Sequence, residues 1–134
     1  MEGTIEPQEI AEALAEAALD VKAGDVVILD LRGLVDYTDL FVLCTARNPR
    51  HVQAIADEVR RVAKHRLATP CAGVEGLPAA RWVLVDFESV VVHVFDHPMR
   101  GFYNLDGLWA EAPRTMVSSP EGDAEADAFF PSNP

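Results

Sequence analysis

The chain has 134 residues, enough for one hydrophobic core, with 49% hydrophobic side chains and a formal charge of −11 from 22 acidic and 11 basic residues. That acidity argues against a free-standing nucleic-acid binder that works by neutralising phosphates, so no direct nucleic-acid binding is expected, whereas a basic protein partner fits. Cys44 and Cys71 make no CxxC pair, "MEGTIEPQEI" lacks a signal peptide's basic patch and apolar core, and no apolar run approaches the roughly 18 residues of a membrane span. A reducing, cytoplasmic setting away from membranes is the expectation.

From Pro7 to Lys22, apolar residues Ile10, Ala13, Leu14, Ala17, Ala18 and Val21 recur at helical spacing, with Pro7 suited to the first turn and Gly24 to the C-terminal cap. "DVVILDL" (25–31) and "LFVLCT" (40–45) are short, apolar and β-branched, as strands covered on both faces should be, and "RGLVDYTD" between them reads as a loop. Asn48 can cap and Pro49 start a second helix, with Val52, Ile55, Ala56, Val59, Val62 and Leu67 as its apolar stripe. Arg60, Arg61, Lys64 and Arg66 crowd its C-terminal end, where the helix dipole favours cations; a solvated helix end and a binding patch both fit. "ATPCAGVEGLPAA" is turn-rich with room for one short strand.

"RWVLVDF" and "SVVVHVF" form a hairpin whose faces the period of two separates. Val83, Val85, Val90, Val92 and Val94 share the core face; Trp82, Leu84, Asp86, Ser89, Val91, His93 and Phe95 share the other. A turn centred on Phe87 and Glu88 would set Trp82 opposite His93. Beyond it, Pro98 can start a helix, and Phe102, Tyr103, Leu105, Leu108 and Trp109 can pin the C-terminal segment onto the sheet. Residues 1–112 form the folded domain, with 18 acidic against 10 basic side chains, a net −8; residues 113–134, rich in Pro, Ser, Gly and acid, read as a disordered tail. The element order predicts an α/β domain with a mixed sheet of about five strands and helices packed on it.

Chemistry is hard to place on this frame. His93 and His97 would stand about 13 Å apart along a strand, against the roughly 2 Å zinc–nitrogen bond, so metal binding by the pair needs a sharp turn at Asp96. No serine sits in a GxSxG elbow, the glycines of "GVEG" form no phosphate loop, and neither Asp36 with Asp39 nor Asp86 with Glu88 converges as a two-metal pair. No cofactor and no catalytic residue are expected. The Trp82 face has two readings: it is covered by the C-terminal aromatics, or it is a recognition surface anchored by a tryptophan, the residue type common at interface hot spots.

"TDLFVLCTARNPRHVQAIADEV", "GVEG", "WVLVDFESVVVHVF" and "RGFYNLDGLW" follow the order and spacing of the ribosomal silencing factor (Iojap) family, which the chain resembles over residues 7–112. The resemblance implies a fold similar to nucleotidyltransferases but without their catalytic carboxylates. It also implies a non-enzymatic translation repressor that binds the large ribosomal subunit through the ribosomal protein numbered fourteen, at the face meeting the small subunit. Subunit joining is thereby blocked under nutrient limitation. Large-subunit assembly is an alternative role, a nucleotidyltransferase-like enzyme another, and a homodimer of the free protein stays open. Transferred position by position, the partner-binding candidates are Trp82, Leu84, Asp86, His93, Arg100, Tyr103 and Trp109, with His93 either a contact or a support. Thr38, Asp39 and Phe41 match a T-D-x-F element, and Glu75 with Gly76 an E-G element. Leu40, Ala46 and Asp106 depart from the family's usual residues.

Overall fold

A computed structural model describes residues 5–103, 107 and 109–117, with only the backbone described at 102 and 103. Helix α1 (Pro7–Asp20) begins at its proline, and the Glu9 carboxylate takes the Glu6 N–H at 3.3 Å. Its end differs from expectation. Lys22, not Gly24, adopts the left-handed conformation (φ 71°), with its N–H bonded to the Leu19 carbonyl and the Ala23 N–H to the Ala18 carbonyl. These two bonds are those of a Schellman closure. The last residue of the helix buried in the core is Ala18, so the chain reverses before the glycine, which opens β1 (Gly24–Asp30) instead.

Strand β2 (Leu40–Ala46) runs antiparallel to β1, and helix α2 (Pro49–His65) starts where Asn48 Oδ1 accepts the His51 N–H at 2.8 Å. His51 also joins the two helices: its Nδ1 accepts from the Arg47 N–H, and its Nε2 bonds the Val21 carbonyl at 2.7 Å. Short β3 (Gly73–Glu75) and β4 (Trp82–Asp86) follow, then β5 (Val90–Asp96), α3 (His97–Tyr103) and β6 (Arg114–Met116). The sheet order is β3-β4-β5-β2-β1-β6, parallel only between β2 and β5. The α/β class and mixed sheet are as expected; the sixth strand is not. Residues 114–116, expected to begin a disordered tail, pair with Leu29, Ile28 and Val27, while 118–134 lie outside the described residues.

The hairpin faces are as the alternation predicts, but the register is shifted by two. Trp82 pairs with Phe95 and Leu84 with His93, because the turn is Glu88–Ser89 rather than Phe87–Glu88. Asp86 Oδ1 accepts the Glu88 N–H at 2.7 Å, Glu88 takes a φ of 71°, and the Ser89 N–H returns to the Phe87 carbonyl. Those are the bonds of an Asx turn followed by a γ-turn. A shift by two preserves which side chains share a face.

Helices α1 and α2 pack on one side of the sheet, burying Ile10, Leu14, Val52, Ile55, Val59 and Val62 against Val42, Val83, Val85, Val90, Val92 and Val94. The other side has a smaller cluster of Val27, Leu29, Leu31, Phe41, Leu43, Val91, Phe95 and Ala112, with Trp82, Leu84, Met99 and Trp109 packed at its border. No helix comparable to α1 or α2 covers this second side among the described residues.

Candidate functional site

The second side of the sheet is built around the ends of β4 and β5. Trp82 opens β4 and is half-buried; its ring stacks on Phe95 at 5.1 Å between centroids, and its Nε1–H donates to His93 Nδ1 at 3.2 Å. His93 is 4% exposed and lies between aromatic rings, with Phe41 edge-on at 4.3 Å and Phe95 nearly parallel at 6.0 Å. Because Nδ1 accepts from the indole, the ring proton resides on Nε2, which has no hydrogen-bond partner among the described residues. Burial, reinforced by the positive charge of Arg100, pushes the imidazole pKa down to about 4, so His93 is neutral at physiological pH.

Arg100 is 7% exposed and lies below the surface. Its guanidinium donates to the Asp25 carbonyl at 3.0 Å and to Thr45 Oγ1 at 2.8 Å, and stands 3.7 Å from the Asp25 carboxylate. The reach from α3 to β1 and β2 is set by Asp96, which ends β5. Asp96 Oδ1 accepts the Met99 N–H, while its Oδ2 receives Arg81 Nε at 2.8 Å. One carboxylate therefore caps α3 and pairs with the residue preceding Trp82.

Leu84 and Asp86 continue the face along β4, both half-buried, with Asp86 engaged in the turn. Trp109 is half-buried, edge-on to Phe41 at 6.3 Å. The side chains of Phe102 and Tyr103, with Leu105, Asp106 and Leu108, lie outside the described residues. The structure thus unites Trp82, Leu84, His93 and Trp109 on one face and places Arg100 beneath the α3 end of it. Ala112 is buried in the cluster, and Met99 and Trp109, like Trp82 and Leu84, pack half-buried at its border. Sequence reasoning misses Phe41 and Phe95, the two rings that hold His93, as site residues; their position on the same strand face as His93, or beside it on β2, is the available signal.

Among the described residues no three His, Cys, Asp or Glu side chains group as a metal site. Cys44 is fully buried, its thiol pushed up to about 12 by desolvation and its S–H directed at the His93 carbonyl, so it is an inert core thiol. No helix among the described residues is long and apolar enough to cross a membrane.

Gly76 shows how the edge strand serves this face. Its φ is +107°, and a β-carbon there would collide with the Trp82 carbonyl. The glycine lets the chain after β3 pass directly against the backbone that carries the tryptophan.

Comparison with known proteins gives one consistent result. A family model described as "Ribosomal silencing factor during starvation" matches residues 4–132, reaching past the expected domain end at 112. The ribosomal silencing factor of Halalkalibacterium halodurans is 41% identical over 106 residues, 79% of this chain and 90% of that protein. That of Bacillus subtilis is 40% identical over 106 residues, 79% and 89% of the two chains. A crystal structure of a Chromobacterium violaceum protein superposes with a TM-score of 0.77 at 31% identity, covering 86% of this chain and 95% of that one.

Proposed function

Because the chain belongs to the ribosomal silencing factor family, we propose that it represses translation without catalysis, by placing its Trp82 face on the ribosomal protein numbered fourteen of the large subunit. Occupying the surface that meets the small subunit blocks subunit joining by steric exclusion. The observation that carries this reading is the Trp82 indole: half-buried, stacked on Phe95 and tied by its N–H to a neutral His93, it is already ordered before a partner arrives. A preorganised aromatic loses little rotamer freedom on binding and offers a large apolar area for desolvation.

Within this reading Trp82 and Leu84 make contact, Asp86 faces a Lys or Arg of the partner, and Trp109 borders the surface. His93 and Arg100 act as positioning residues, since both are buried and turned to internal partners. The chain's charge of −11 suits a basic ribosomal protein, speeding and orienting encounter. Trp82→Ala is expected to weaken co-sedimentation with purified large subunits by about tenfold or more while far-ultraviolet circular dichroism stays unchanged. Wild-type binding by a folded Trp82→Ala protein would overturn the assignment of this face.

A further inference from the structure

The face just described leaves one strongly charged feature unused. Arg60, Arg61, Lys64 and Arg66 are four of the chain's 11 Lys and Arg residues, and no acid occurs between residues 59 and 74. All four are exposed, and His65 beside them is too. Asp57, Arg60, Arg61, Lys64 and His65 of α2, with Thr69, Pro70 and Cys71, line an open cleft of about 460 Å³.

Helix stabilisation accounts for only part of this charge. The dipole acts within the last turn, which explains Lys64 and Arg66 but not Arg60 or Arg61. Arg61 is taken up by a bidentate pair with Glu58, at 2.9 and 2.7 Å. No carboxylate among the described residues forms an ion pair with Arg60, Lys64 or Arg66, and Arg60 and Lys64 stand one above the other at i, i+4. Glu58, paired with Arg61, also attracts Arg66, and Asp57 lines the cleft, so the basic charge is offset only in part and a polyanion would offset the rest.

The location adds a second argument. The far wall of the cleft, Thr69 to Cys71, runs directly into the sheet edge: the Ala72 N–H bonds the Asp86 carbonyl at 2.7 Å, and Gly73 pairs with Asp86. The cleft, on the helix side of the sheet, therefore reaches the sheet edge at the Asp86 end of β4, while Trp82 and Leu84 lie on the opposite side.

We propose that this cleft at the C-terminal end of α2 contacts the RNA phosphate backbone of the large subunit while the Trp82 face engages ribosomal protein. It rests on the ribosome-association reading above. A net charge of −11 prevents such a patch from binding free RNA strongly. Once the opposite sheet face has docked, however, an RNA contact reached around the β3 edge becomes intramolecular and is governed by effective concentration rather than by overall charge.

The test is equilibrium binding of the full chain to purified large subunits at about 50 to 300 mM KCl. Replacing Arg60, Lys64 and Arg66 together by Gln keeps helix propensity. It is expected to reduce the slope of log K against log salt by about 2, at roughly 0.7 for each phosphate that a cation neutralises, and to weaken binding about tenfold at low salt. Binding by the triple variant that is unchanged or tighter overturns the proposal; tightening is the outcome if the cations had faced a basic protein. A photo-cross-linking side chain at Thr69 should capture RNA, and capture of a ribosomal protein instead also overturns it. Trp82→Ala is expected to lower affinity with the slope intact. If Trp82→Ala has no effect while the triple variant shows the smaller slope, the assignment of the docking face fails and the RNA contact stands.

Discussion

His93 is a histidine whose surroundings favour only its neutral form. Its Nδ1 accepts the Trp82 indole proton, rings enclose it, and Arg100 adds positive charge, so protonation would desolvate a cation and break the indole bond. A histidine with a folded pKa of about 4 and an ordinary value of 6.5 binds fewer protons folded than unfolded between those limits. The stability it confers is complete above about pH 6.5 and is lost as pH falls toward 4, with about 2 kcal/mol gone by pH 5. His51, also lowered by burial, adds loss in the same direction. Denaturant unfolding at pH 7.5 and pH 5 should show this drop in the wild type and a smaller one in His93→Asn; equal drops in both would remove His93 as the source. Gly76 makes a second prediction at this scale. Gly76→Ala must either leave a φ of +107° or displace the Trp82 backbone, and should cost about 1–3 kcal/mol of stability, read by chemical denaturation. Full stability in Gly76→Ala would show that the approach can relax without cost.

Elements are bounded here by short polar contacts more than by propensity. Asn48 starts α2 and Asp96 starts α3, both through a side-chain oxygen on the third N–H of the helix, and the Asp96 cap sets the phase that delivers Arg100 to Thr45. The caps are readable as Asn-Pro and Asp-x-Pro patterns. The partners of Arg100, 55 and 75 positions away along the chain, are not. Strand β6 escapes a reading of the sequence because three exposed residues, Arg114, Thr115 and Met116, carry no alternation or apolar run; they are held by the free edge of β1 and by the Val117 N–H on the Val26 carbonyl. A chain ending at Ala112 is therefore expected to be less stable than one ending at Val117, by about 1–3 kcal/mol for several ladder bonds. Equal melting of the two truncations would show that β6 adds nothing.

At the scale of the whole molecule the sheet has unequal sides among the described residues. Two helices seal one side, whereas among the described residues α3 and the segment around Trp109 close the other only in part. The amino-acid sequence by itself determined the α/β class, the boundaries of four strands to within a residue or two and room for a short fifth, both long helices, and the separation of the valines from Trp82, Leu84 and His93. Each is a local matter, set by a period of 2 or 3.6 and by turn residues. Only the tertiary structure decided the hairpin register, since a shift by two leaves the face pattern unchanged and the choice lies in the Asp86–Glu88 turn. It alone also decided that His93 and Arg100 are buried against internal partners and that Met116 lies in a sheet. Those outcomes depend on which distant groups fill the surrounding space, and burial and hydrogen bonding between residues far apart in the chain leave no periodic trace in it.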